Sequence, residues 1–136
     1  MAKLIVILVL CAALFVALAV YSSESTEVKV YSDPSQVILV NVGQEFIVSL
    51  GENPSTGYVW YREFDSSLLS LTEDQYVPPD NMMPGAPGTR NFKFKALNKG
   101  ETEITLINRP AWWDNIPPEE QEETPVDTKV FTVDIC

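Results

Sequence analysis

Histidine is absent from the 136-residue chain. That removes Ser-His-Asp and Cys-His catalysis and the usual zinc ligand sets. Cysteine is nearly absent, with Cys11 near one end and Cys136 at the other. No Asn-x-Ser/Thr acceptor for glycosylation exists, because proline fills the middle of Asn53-Pro54-Ser55. Basic side chains are scarce, 9 against 19 acidic ones, for a formal charge of −10. Such a balance argues against nucleic acid, whose phosphates need Lys and Arg, and against anionic membrane surfaces. It suits a basic or weakly charged protein partner, or simply a well-solvated surface. No glycine-rich phosphate cradle stands between a strand and a helix, and no internal repeat is present. Carboxylates do gather at Glu119, Glu120, Glu122 and Glu123, but they lie in a Pro-flanked acidic loop and read as a solvated charge run. No catalytic group, metal site or cofactor is expected.

Met1-Ala2-Lys3 precedes an apolar run over residues 4–20 that ends on Ala17-Leu18-Ala19. One positive charge, an apolar core and a small-residue site make a secretory signal, with cleavage expected after Ala19. The alternative is an uncleaved anchor, for which the run is short, since a spanning helix needs roughly 20 apolar residues. The expected domain is then 20–136, with 8 basic against 19 acidic side chains and a formal charge of −11. It would be secreted or held in endo-lysosomal vesicles, with no membrane attachment once the signal is removed. Cys11 leaves with the signal. Cys136 is then a lone terminal thiol, either incidental or open to a mixed disulfide or a dimer, and a monomer is expected. The fold has no internal disulfide and depends on its core alone, for which the length suffices because domains of about 60 residues fold unaided.

Short stretches of apolar alternation follow one another between turn signals. A short edge strand is expected around Val28 and Val30, and a buried strand over the β-branched run 36–42. In 45–50, Phe46, Val48 and Leu50 share one face. Strands are further expected over 58–64 and 68–76. In 89–97, Phe92, Phe94 and Ala96 point inward, and Asn98-Lys99-Gly100 reads as a hairpin-like turn into 101–108. A last strand over 126–135 carries Phe131, Val133 and Ile135 on one face. Residues 78–88 are too rich in Pro and Gly for a regular element, and 109–125 form a long polar loop with Trp112 and Trp113. No helix is expected in the domain. Seven to eight short strands with regular turns indicate an all-β sandwich, Ig-like but without the cystine.

The stretch Gly51-Glu52-Asn53-Pro54-Ser55-Thr56-Gly57-Tyr58 is polar between two apolar strands. Pro54 fixes its own φ and biases Asn53 toward extended backbone. Gly57 can take a positive φ without penalty. Asn53, Ser55 and Thr56 can bond to nearby backbone. A stiff protruding loop suits binding, although an ordinary tight connection reads the same way.

Three segments together resemble the chagasin family of inhibitors of papain-like cysteine proteases, over residues 37–133. They are the strand and loop Val42-Gly43-Gln44-Glu45 to Gly51-Glu52-Asn53-Pro54-Ser55-Thr56-Gly57-Tyr58-Val59-Trp60-Tyr61, then Tyr76-Val77-Pro78-Pro79-Asp80 with Gly85-Ala86-Pro87-Gly88-Thr89, and Arg109-Pro110 with tryptophan soon after. The resemblance implies an Ig-like β-sandwich whose three loops, crowded at one end, form a wedge that enters the active-site cleft. Inhibition would be reversible and tight, with no covalent step. Asn53, Pro54, Ser55, Thr56 and Gly57 would approach the catalytic centre. Gly85 and Gly88 would let the second loop lie against the cleft wall. Arg109, Pro110 and Trp112 or Trp113 would form the third contact. Three residues depart from the family pattern. Ser55 replaces the common threonine, Ala111 separates Arg109-Pro110 from Trp112-Trp113, and Pro87 stiffens a usually glycine-rich loop. Residue chemistry leaves Arg109 free to pair with an acid such as Asp114, and either Trp free to fold over the core edge. The other functional reading is a secreted Ig-like adhesion or ligand-binding module.

Overall fold

A computed structural model describes residues 27–81 and 83–136. The signal expected over 1–19 lies outside them. The elements in chain order are β1 (Lys29–Tyr31), β2 (Ile38–Val40), β3 (Glu45–Glu52), a 3-10 turn (Pro54–Thr56), β4 (Tyr58–Glu63), β5 (Leu69–Val77), β6 (Gly88–Ala96), β7 (Gly100–Pro110), a second 3-10 turn (Trp113–Asn115), α1 (Pro118–Glu123) and β8 (Asp127–Ile135). They form two four-stranded sheets, ordered β1-β3-β6-β5 and β2-β8-β7-β4. The expected all-β sandwich is the observed fold.

Alternation builds the core directly. Phe46, Val48 and Leu50 of β3, and Phe92, Phe94 and Ala96 of β6, are buried at every second position. Antiparallel register sets Phe46 opposite Phe94 and Val48 opposite Phe92. Phe46 stacks on Phe94 with centroids 5.6 Å apart, and Phe64 meets Phe94 edge-on at 5.2 Å. From the facing sheet, Ile104 and Leu106 of β7 and Phe131, Val133 and Ile135 of β8 close the interior.

Three expectations are corrected. The strand expected as buried over 36–42 shrinks to three residues at a sheet edge, and Leu39 between buried Ile38 and Val40 is 63% exposed. A β-branched run does not reveal by itself whether both faces are covered. Residues 98–100 do not make a hairpin, because β6 and β7 belong to different sheets. The chain steps across the sandwich there, tied by Asn98 Nδ2 donating to the Ser67 carbonyl at 2.6 Å and Leu97 N donating to the Leu68 carbonyl at 2.8 Å. A helix, α1, does form in the loop read as wholly irregular, over the run of glutamates. Pro118 suits a helix's first turn, and Glu119 and Glu120 lie at its positive N-terminal end.

Connectivity places the loops. Glu52 pairs with Gly88, Val77 with Thr89, Tyr58 with Pro110, and Asn108 with Asp127. Hence β3, β5 and β7 end, and β4, β6 and β8 begin, at one end of the sandwich. The connections β3–β4, β5–β6 and β7–β8 all lie there.

Phe94 is completely buried among aromatic neighbours. Phe94→Ala should therefore lower unfolding free energy by about 3–5 kcal/mol, read from the midpoint of a urea denaturation curve.

Candidate functional site

The central loop is closed by its own side chains. Asn53 is extended (φ −118°, ψ 95°), as a residue before proline should be. Its Oδ1 accepts from Ser55 N at 3.2 Å and from Ser55 Oγ at 2.6 Å. Thr56 Oγ1 donates back to the Asn53 carbonyl at 2.7 Å. Backbone bonds from Thr56 N to Asn53 O and from Gly57 N to Pro54 O, both 3.1 Å, complete one 3-10 turn. Gly57 ends it at φ 80°, the left-handed region that glycine enters at little cost. Pro54, Ser55 and Thr56 are exposed at the apex.

Each flanking loop touches the central one. Asn53 Nδ2 donates to the carbonyl of Gly85 at 3.0 Å, and Gly85 is itself left-handed at φ 78°. On the other side Ala111 N donates to the Gly57 carbonyl at 2.9 Å. The Trp112 ring rests over Gly57, where an added methyl would lie 2.6 Å from Trp112 Cζ3. The same ring is still 52% exposed. The three segments expected at one end thus make one connected surface.

The remaining sequence-predicted residues take supporting positions. Gly88 is the first residue of β6, and a Cβ there would collide with the Tyr76 hydroxyl and the Val77 carbonyl. Its small size serves the sheet. Arg109 and Pro110 close β7, with Pro110 buried. Arg109 does not pair with Asp114. Its guanidinium lies 3.9 Å from the Tyr61 ring centroid and 5.6 Å from that of Trp113. Trp113, half-buried, is the tryptophan that folds back, and Trp112 is the one presented. Gln121 of α1 donates to the carbonyls of Trp113 at 3.1 Å and Ile116 at 3.0 Å, which ties the acidic helix to this loop.

Sequence reasoning missed the group beneath the central loop. Glu52 is 3% exposed. Its Oε2 receives Arg90 Nη2 at 2.7 Å and Nε at 3.0 Å, and its Oε1 receives the backbone N–H of Trp60 at 3.2 Å. Arg90 also reaches Asp74 at 3.2 Å, and Asp74 in turn meets Arg62 at 2.9 Å. Burial works against the charge of Arg90, but the hydrogen bond and charge of Glu52, with those of Asp74, outweigh it and raise its pKa above the ordinary guanidinium value. Trp60 Nε1 donates to the Gly51 carbonyl at 2.8 Å. The available signal was an Arg in β6 at a position with the inward parity of Phe92 and Phe94.

Removing the Trp112 ring takes a half-exposed group off Gly57 without opening the core. Trp112→Ala should change stability by no more than about 0.5–1 kcal/mol. In proton NMR it should return the Gly57 α-proton shifts, displaced by the overlying ring, toward ordinary glycine values.

Comparison with known proteins agrees with this geometry. The model of the chagasin family of peptidase inhibitors (I42) matches residues 39–133. Chagasin of Trypanosoma cruzi is 30% identical over 80 residues, 55% of this chain and 73% of its own length. Amoebiasin-2 of Entamoeba histolytica is 36% identical over 67 residues, 48% of this chain and 54% of its own length. The crystal structure of EhICP2, a cysteine protease inhibitor from Entamoeba histolytica, superposes with a TM-score of 0.62 at 24% identity, covering 81% of this chain and 98% of that one. The chain belongs to the chagasin family of peptidase inhibitors.

Proposed function

We propose that the chain is a reversible, tight-binding inhibitor of papain-like cysteine proteases that enters the active-site cleft with the three-loop end. The observation that carries this reading is the mutual bracing of the loops: Asn53 holds the Gly85 carbonyl, and Trp112 covers Gly57. A surface ordered before it docks loses little conformational entropy on docking, so more of the contact energy becomes affinity. The exposed apex at Pro54, Ser55 and Thr56 would meet the catalytic centre, with every hydroxyl there already engaged in the loop. Trp112 offers a large apolar face of the residue type most enriched at binding hot spots. Pro110, being buried, would hold the end of β7 in place and not touch the protease itself. Binding needs no covalent chemistry from the inhibitor. The protein would act as a monomer, after secretion or within vesicles, with residues 1–19 removed.

The full-length chain, expressed through a secretory host, tests both parts together. The protein recovered from the medium should begin at Val20 by N-terminal sequencing, and it should titrate papain to near one-to-one with activity returning on dilution. A double variant, Ser55→Glu with Thr56→Arg, should lose inhibition and keep its thermal midpoint. Inhibition unchanged in that variant would remove the central loop from the mechanism. No effect on papain or on a small panel of cathepsin-like enzymes would favour an adhesion or ligand-binding module instead.

With no histidine in the chain, no unperturbed side chain changes charge between about pH 5 and 8. Asp33 and Asp65 cap turns. Backbone and hydroxyl hydrogen bonds from Ser35 and Ser67 hold both carboxyls below their ordinary value of 3.8. A carboxylate depressed on folding stabilises above its unfolded value, and that contribution is lost as pH falls through the folded one. Thermal midpoints should therefore be flat from about pH 5.5 to 8 and decline below about pH 4, measured by calorimetry across buffers.

A further inference from the structure

Glu52 is a carboxylate in the wrong place for an ordinary loop residue. Its side chain is 1% exposed, so it cannot touch a docked partner. A buried ion pair is weak as a source of stability, because desolvation offsets much of its attraction. Its geometry offers another role. Glu52 ends β3, where the central loop departs, and its Oε1 holds Trp60 N in edge strand β4, where that loop has returned. Its Oε2 holds Arg90, two residues after Gly88, where the second loop re-enters the sheet. One carboxylate therefore joins both roots of the central loop and one root of the second, and it bridges the two sheets.

We infer that Glu52 is the positioning residue of the three-loop surface, fixing the central loop against the second through Trp60 and Arg90. Its charge is what matters. A carboxylate can accept from Trp60 and from two guanidinium nitrogens at once, whereas an amide of the same shape has one acceptor oxygen and sets its NH2 against either the guanidinium or the Trp60 N–H. Without the charge the β4 root loosens from the β3–β6 ladder, and the apex loses its fixed height relative to Gly85. The binding consequence rests on the inhibitory reading above, but the ordering of the loop does not.

Glu52→Gln tests this with two readouts and a control. In amide hydrogen exchange, the Thr56 and Gly57 N–H groups, which close the turn, should exchange at least about tenfold faster than in the parent protein, while Phe94 and Ile104 amides change only with global stability. Dissociation from papain should be at least about tenfold faster, with association within about threefold, because a loosened surface still meets its target but is held less well. Ile104→Val, a core change far from the loops, serves as the control for lost stability. Adjusted by temperature to the same distance below its melting midpoint, it should inhibit like the parent. Unchanged exchange at Thr56 and Gly57 in Glu52→Gln would overturn the inference, as would an equal loss of affinity in the Ile104→Val control. If the parent protein fails to bind papain, the inhibitory reading fails alone, and the exchange comparison still decides the role of Glu52.

Discussion

A single buried carboxylate ties both ends of the central loop to the strand that carries the second one. The sandwich closes through apolar contacts between its sheets, and those contacts carry no information about loop height. Glu52 adds that information. It takes one partner from β4 in one sheet and one from β6 in the other, at the end where three connections converge. Arg90 passes the constraint to Asp74 of β5, and Asp74 passes it to Arg62 of β4. The chain of charges thus runs from the loop root around the open edge of the sandwich, where β4 and β5 have no further strand beside them.

The loops differ in how they leave the sheets, and that difference assigns their roles. The second and third connections join neighbouring antiparallel strands within one sheet, β5 to β6 and β7 to β8. Only the central one crosses between sheets at this end, so it must span the thickness of the sandwich in few residues. A 3-10 turn with a left-handed glycine at its exit does this compactly. Because it crosses between the sheets, the central loop is flanked by one loop from each. It receives a hydrogen bond acceptor from one neighbour and an indole face from the other. Rigidity in the middle and support from both sides are the physical requirements for a projecting surface that binds without rearranging.

Much of this was legible in the residues. The faces of β3, β6 and the end of β8 follow from strict alternation with aromatic or branched residues, and Asn53, Pro54 and Gly57 each adopt the backbone their chemistry favours. What stayed hidden has a common cause: partners distant in sequence. Glu52 lies beside polar loop residues and reads as solvated, and its partner Arg90 is 38 positions away. Asn98-Lys99-Gly100 has the composition of a hairpin turn, and only the strand order shows that it changes sheets. The acidic run at α1 looks irregular until Gln121 is seen to anchor it on Trp113 and Ile116. The paired tryptophans could not be told apart by type. Arg109, stacked over Tyr61 of the adjacent strand, holds Trp113 back against the outer face of that sheet and leaves Trp112 presented.

The distribution of arginine follows from the same geometry. The chain contains three, Arg62, Arg90 and Arg109, and all three border one shallow groove beside the loop end. In an acidic protein a cation anywhere on the surface would find a carboxylate, so charge balance alone does not explain their grouping. Their surroundings do. Arg90 divides its donors between Glu52 and Asp74 and lies 5.7 Å from the Tyr76 ring centroid, and Arg109 sits over the Tyr61 ring at 3.9 Å. Both positions call for a planar cation with several fixed donors, which a lysine ammonium is not. Lys93, three residues beyond Arg90 on β6 but on the outer face of that sheet, pairs with Glu45 at 3.2 Å. Where a point charge suffices the chain uses lysine. Arginine is kept for the end where a side chain must hold two strands, a ring and a loop root in one arrangement.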